Sequence, residues 1–309
     1  MNLAAVTAAL AVCHNALSED MRVTSPNDQK MAVKFTGLVQ RIKTALVLLP
    51  FIIAPVMLGG LWFLVLLAVV AVIMAREWVG LLRSEDPGRD ALWISVLVLN
   101  VLVFAYAMSL SDATAMIVVI SIIGAALSFK RGARYTPVFG GVIYIAWPLA
   151  AAIGFRQDPM GIWVIFYVLV SVWAVDIFAM FSGKIIGGPK LAPKLSPNKT
   201  WSGMCGAVVG ALVAALISYG LINVVHAGGA AMNLTAMLIL AVVLAIVAQS
   251  ADLFESALKR KYQIKDSGNI FPGHGGILDR VDGLVGVLIG LHLLTLWRGG
   301  LVSEALWVW

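Results

Sequence analysis

The chain has 309 residues, 61% of them hydrophobic and only 12% charged, with a net charge of +6 and a mean hydropathy of +0.95. Soluble domains run near about 45–50% apolar and about 25% charged, so a soluble globular protein, a disordered chain and a disulfide scaffold are excluded. Two cysteines, Cys13 and Cys205, and four scattered histidines (His14, His226, His274, His292) build neither a disulfide framework nor a zinc cluster.

In chain order, Asn2–Cys13 is apolar but short and has no basic residue before it, so it does not read as a signal peptide. Leu17–Lys30 is polar, and Met31 is a candidate start of the protein. Residues 1–37 are expected to form a polar, flexible N-terminal segment, and 38–309 a single transmembrane domain. A helix that crosses hydrocarbon needs about 20 mostly apolar residues. Stretches without Asp, Glu, Lys or Arg run Thr44–Ala75, Ala91–Ser111, Ala113–Phe129, Tyr135–Phe155, Pro159–Val175, Thr200–Ala251 and Gly283–Trp297. The first extends past Arg76 and Glu77 to Leu82. Pro50, Pro55 and Gly59-Gly60 interrupt it, so it reads as two spans. Thr200–Ala251 is broken by Asn223, His226, Gly228-Gly229 and Asn233 and also reads as two, while Pro159–Val175 continues through Asp176 to Phe181. The expected fold class is an all-α polytopic integral membrane protein with about nine transmembrane helices.

Basic residues set the orientation. With a cytosolic N-terminus, eighteen Lys and Arg fall on the cytosolic side, and only Arg156 and Arg298 on the far side. Arg76 and Arg280 sit inside or at the end of spans. The positive-inside rule then holds at every loop. The positive surplus reads as topology and affinity for anionic lipid, and no nucleic-acid partner is expected. No internal repeat is visible, which argues against a transporter built from matching halves.

Two polar stretches on the cytosolic side are too long and too patterned to be connectors: Ser182–Ser202 and Asp252–Asp282. In the second, Asp252, Ser256, Lys259 and Arg260 share one helix face, and Asp279 and Asp282 share another at the head of the last span. Lys265-Asp266 and Pro272-Gly273-His274-Gly275-Gly276 lie between them, the glycines allowing close backbone approach to a ligand. Carboxylates at the end of a span are costly unless paired or bound to metal. Oxygen ligands without Cys or His clusters suit Mg²⁺, and Mg²⁺ held by few carboxylates completes its shell with phosphates. Adjacent Lys and Arg are what a polyphosphate needs. The expected ligand is a nucleoside triphosphate or pyrophosphate with metal.

Ser256–Asp282 matches position for position the pattern Ser, any, apolar, Lys-Arg, four any, Lys-Asp, any, small, two any, apolar, Pro, any, His-Gly-Gly, apolar, any, Asp-Arg, apolar, Asp. It resembles the signature of the phosphatidate cytidylyltransferase (CDP-diacylglycerol synthase) family. Ser196-Pro197-Asn198-Lys199-Thr200-Trp201-Ser202-Gly203 is similar to that family's Ser-Pro-x-Lys-Thr-x-x-Gly segment. Asp176 with Ala179, Gly183 and Gly187, and Arg41 to Pro50, resemble further family stretches. The resemblance covers roughly Leu38 to Gly290, with Ala251 where the family usually has Gly and Met180 where it usually has Tyr.

The resemblance implies that residues 38–309 form a catalytic domain with its active site at the cytosolic face of a bacterial-type inner membrane. The implied partners are CTP, phosphatidic acid and membrane lipid, the implied products CDP-diacylglycerol and pyrophosphate, and the implied cofactor Mg²⁺. Asp252, Asp266 and Asp279 are the leading metal candidates, with Asp282 next. Asp176 is expected to orient Lys199 or Lys184, or to ligate a second cation, which the resemblance gives as K⁺. Lys259, Arg260, Lys265 and Arg280, with Ser256, are expected to hold triphosphate or lipid phosphate. Lys199 with Ser196, Asn198 and Thr200 closes the site from the other loop, and His274 donates to a phosphate or shapes its loop. The oligomeric state stays open, a homodimer included. The rivals are a transporter or channel for a phosphorylated substrate and a membrane lipid kinase. A kinase would carry a GxxxxGK[ST] loop, and here Gly183-Lys184 is followed by Ile185.

Overall fold

A computed structural model of the protein describes residues 50–131, 136–225, 232–264, 266–268 and 275–308. The chain divides into two compact units, Met1–Phe51 and Ile52–Trp309. Of the first, only residues 50 and 51 are described, so Met31, the boundary expected at 37/38 and the start of the first span lie outside the described residues.

The second unit begins in a helical stretch that ends at Leu58. The turn at Gly59 and Gly60 has φ of +65° and +52°, a backbone that glycine adopts freely. It leads into α1 (Gly60–Leu81), followed by α2 (Pro87–Ala107), α3 (Leu110–Arg131), α4 (Thr136–Gln157) and α5 (Gly161–Ile185). A hairpin, β1 (Lys190–Ala192) and β2 (Ser196–Thr200), precedes α6 (Trp201–Val225), α7 (Leu234–Lys261), α8 (Leu278–Arg298) and the short α9 (Val302–Trp307). Among the described residues, seven helices (α1, α2, α4 from Phe139, α5, α6, α7 and α8) are long and apolar enough to cross a membrane, and α3 offers a shorter apolar stretch, Leu110–Gly124. The protein is an all-α polytopic membrane protein, apart from the two-stranded hairpin.

Helix α1 illustrates how an apolar helix serves two environments. Phe63, Leu67, Ala71 and Met74 are buried against neighbouring helices, while Leu61, Trp62, Val65 and Val69 are exposed. Both faces are apolar because lipid and protein interior are equally so, and packing then depends on shape. Shape matters most between α5 and α6. A Cβ on Gly206 would meet the Phe178 carbonyl oxygen at 2.6 Å, and one on Gly210 would meet that of Ala174 at 2.5 Å. The two backbones touch, and the hairpin between them is rooted in that contact.

The Ser182–Ser202 stretch, expected as loop, contains this hairpin. Lys190 pairs with Thr200 and Ala192 with Ser196, with an irregularity between. Pro197 is tolerated within β2 because a two-stranded hairpin consists of edges, where a missing N–H leaves no ladder bond broken. Thr200 ends the hairpin and starts α6, its Oγ1 accepting from Gly203 N at 3.1 Å.

The end of the bundle away from the hairpin is held by side chain to backbone bonds. Arg156 donates to the carbonyls of Val56 and Met57 at 2.8 and 3.0 Å. Buried Asp158 accepts from Met160 N at 2.8 Å and from Ser303 N at 3.0 Å, which fixes the start of α9.

Candidate active site

The C-terminal ends of α1, α5 and α7, the N-terminal ends of α6 and α8, and the hairpin meet at the other end of the bundle. Most ionisable residues singled out from the sequence gather there. The two patterned stretches touch directly: Lys199 of β2 pairs with Asp252 of α7 at 2.7 Å. The same Nζ donates to Gln249 Oε1 at 2.9 Å. Ser256, one helical turn on, donates to Asp252 at 3.4 Å. Arg260 donates through Nε to the Leu195 carbonyl in the hairpin turn at 3.3 Å.

A second group surrounds Lys259. Its Nζ lies 2.8 Å from Asp279 Oδ1 and 3.1 Å from Glu255 Oε1. The other Asp279 oxygen accepts from Ser267 N at 2.9 Å and Gly276 N at 3.0 Å. Gly275 adopts φ +79°, and a Cβ there would stand 2.8 Å from Asp279 Oδ2 and 3.9 Å from Asp266 Cβ. Glycine is therefore required where the loop folds over the acid. Asp266 itself is exposed beside it.

Asp282 lies between the two groups. It is close enough to Asp252, Asp176 and Lys259 to feel their charge, and Asp176 in turn feels Asp252, Lys199 and Arg280. The Asp282 side chain accepts from Gly283 N at 2.7 Å. Glu255 is 2% exposed, and neither of its oxygens has a hydrogen-bond partner beyond the ion pair with Lys259. Such a buried carboxylate is costly to leave unsatisfied. Among the described residues no three acidic, His or Cys side chains converge into a ready-made metal cage.

Thus Asp176, Lys199, Asp252, Ser256, Lys259, Asp279 and Asp282 are brought together, with Arg260 at the hairpin and Asp266 at the loop. Thr200 is buried in its capping role, whereas Ser196 is half-buried in its strand and Asn198 is exposed. Arg280 is exposed at the head of α8. Lys265 and His274 lie outside the described residues.

The structure adds residues that the sequence reading passed over. Glu77 of α1 is buried and accepts from Ile277 N and Leu278 N, both at 2.8 Å, and from Ser267 Oγ at 3.4 Å. It caps α8 from the far side of the sequence. Its signal was an acid embedded in an apolar span. Glu255 falls three residues after Asp252 and four before Lys259, a spacing that puts all three on one face. Tyr144 of α4, stacked on Trp78 at 5.0 Å between ring centroids, lies within the field of Glu255, Asp282 and Asp252.

Residues 39–297 match the family model described as "Cytidylyltransferase family". The chain belongs to the cytidylyltransferase family. A phosphatidate cytidylyltransferase of Brucella abortus is 34% identical over 265 residues, covering 84% of this chain and 93% of that protein. One of Rickettsia bellii is 37% identical over 145 residues, 47% of this chain and 63% of its own length. One of Rickettsia conorii is 42% identical over 157 residues, 51% of this chain and 68% of that protein. Membership makes this cytidylyltransferase-family chain an enzyme of the nucleotidyltransferase class. The matched region contains both patterned stretches and every group at the hairpin end of the bundle.

Proposed function

We propose that the protein transfers the cytidylyl group of CTP to phosphatidic acid, giving CDP-diacylglycerol and pyrophosphate. The observation that carries this reading is the Lys199–Asp252 pair, which unites the two patterned stretches in one charged cluster at the end of a membrane bundle. The described basic residues Arg83, Arg89, Lys184, Lys190 and Lys194 belong to that same end, and Arg156 and Arg298 to the other. This distribution supports a cytosolic active site and an inner-membrane location.

In the reaction an oxygen of the lipid phosphate attacks the α-phosphorus of CTP, and the bond to the β-phosphate breaks to release pyrophosphate. A phosphate monoester has a second pKa of about 6, so the nucleophile is already largely dianionic near pH 7 and needs no general base. What the protein must supply is tolerance of two polyanions at one point. Arg280, Lys199 and Lys259 line up positive charge for the triphosphate and the lipid phosphate, and Ser256, Ser196, Asn198 and Arg260 border the same region. Lys265 and His274 belong to the proposed set through the sequence pattern.

Mg²⁺ fits the donor set. It keeps several waters and takes one or two carboxylates plus substrate phosphates, so no closed cage is required. Asp252 and Asp176 are both close enough to Asp282 to act on its charge, an excess of acid at the partly exposed end of the bundle that a cation would relieve. Asp279 and Asp266 are the further candidates for those one or two carboxylate positions. In this reading Asp279 also holds Lys259 in place through Oδ1. K⁺ is the proposed second cation, beside Asp176. When bound, the divalent ion neutralises phosphate oxygens and the leaving pyrophosphate.

The test is incorporation of labelled CTP into lipid by purified protein, with pyrophosphate measured in parallel. Product that requires both phosphatidic acid and Mg²⁺ is expected. Nucleotide-independent lipid movement, or release of a nucleoside diphosphate instead of pyrophosphate, would overturn the proposal.

A further inference from the structure

Beside the charged cluster, a cavity of about 310 Å³ lies between α1, α4, α5 and α8. Arg280 is the single charged residue in its lining among the described residues. The rest is apolar: Met74 and Trp173 near the Arg280 end, Leu149 and Val168 midway, Phe63 and Ala152 at the deep end. The Phe63–Met74 stretch of α1 runs alongside, about 16 Å at roughly 1.5 Å per residue. Water inside would find almost no hydrogen-bonding partners, whereas an alkyl chain would lose none. Trp173 is 46% exposed and Arg280 is also exposed, so the cavity has an accessible rim at the hairpin end of the bundle. Arg280 is close enough to Asp176 to act on its charge. An anion at Arg280 therefore sits next to the reacting cluster.

We infer that this cavity receives one acyl chain of the phosphatidic acid substrate, with the lipid phosphate at Arg280 and the end of the chain against Phe63 and Ala152. The inference rests on the activity proposed above and assigns the residues that measure the chain. One cation at the mouth of an otherwise apolar slot is the charge pattern of a lipid with a single anionic head. The depth selects chain length, because each methylene that fails to enter forfeits its burial.

The experiment is a competition in detergent micelles between dioctanoyl and dipalmitoyl phosphatidate at fixed CTP, with the two CDP-diacylglycerol products quantified by mass. Ala152→Phe fills the deep end and is expected to shift the product ratio toward the short lipid by roughly tenfold, the burial of about two methylenes. Phe63→Ala enlarges the deep end and is expected to shift the ratio toward the long lipid. The KM for CTP is expected to stay unchanged in both, a combination that a general loss of packing does not produce. If Ala152→Phe does not fold, the direction of the shift in Phe63→Ala decides alone. An unchanged ratio with normal CTP turnover, as expected if a resident structural lipid fills the cavity, overturns the assignment while leaving the proposed activity standing. If the unaltered protein makes neither product, the activity falls and the assignment with it.

Discussion

Each end of the bundle carries a buried carboxylate that fixes the start of a helix distant in sequence. Glu77 accepts from Ile277 N and Leu278 N at the hairpin end. Asp158 accepts from Met160 N and Ser303 N at the other. Both are satisfied acids, and burial alone does not separate them. The difference lies in what surrounds them. At the Asp158 end the nearby charged side chain, Arg156, is spent on backbone carbonyls. At the Glu77 end acids outnumber the donors offered to them: buried Glu255 has only Lys259, which it shares with Asp279, and Asp176, Asp252 and Asp282 repel one another. An uncompensated excess of one charge, held in place by packing, is the physical mark of a site that awaits a ligand.

Substitutions at the two ends sharpen that contrast. Asp252→Asn removes one of the facing acids and the partner of Lys199. Turnover of CTP is expected to fall by roughly 10²–10³-fold, on the scale of losing one preorganised electrostatic contact, while the protein stays folded in detergent. Full retained activity would strike Asp252 from the site. Glu77→Gln replaces a charged acceptor of two backbone amides with an amide. Thermal unfolding of the solubilised protein should register a loss of about 1–3 kcal/mol. Turnover per folded molecule should fall as well, because Glu77 also holds Ser267, whose N–H orients Asp279. Asp158→Asn is expected to lower stability by a similar amount, about 1–3 kcal/mol, yet leave turnover per folded molecule unchanged. A drop in specific activity there would erase the distinction between the ends.

The spans were legible in the sequence because hydrocarbon imposes a length and a polarity that few residues can evade. Each expected span from the second to the ninth falls on one of the helices α1 through α8, although α3 offers only a shorter apolar stretch and α7 runs ten residues past Ala251, to Lys261. The joining of the two charged stretches was legible as well, since both fell on one side by charge alone and Lys199 meets Asp252. The hairpin was not: its strands are short, Pro-flanked and lack alternating hydrophobicity. Glu77 was visible as an acid in an apolar run, but its partners lie some 200 positions away, and only packing reveals them. Glu255 carried its signal in plain spacing, hidden beside the more conspicuous Asp252 and Lys259.

Lys199 and Lys259 are each already engaged by a carboxylate. The positive charge these two lysines offer an approaching nucleotide is smaller than their number suggests, so they recognise phosphate at contact. A triphosphate that takes over either ammonium group releases an aspartate oxygen in the same exchange. That oxygen becomes available to a divalent cation only once the nucleotide is in position. Nucleotide and metal would then bind with mutual reinforcement, each tightening the hold on the other.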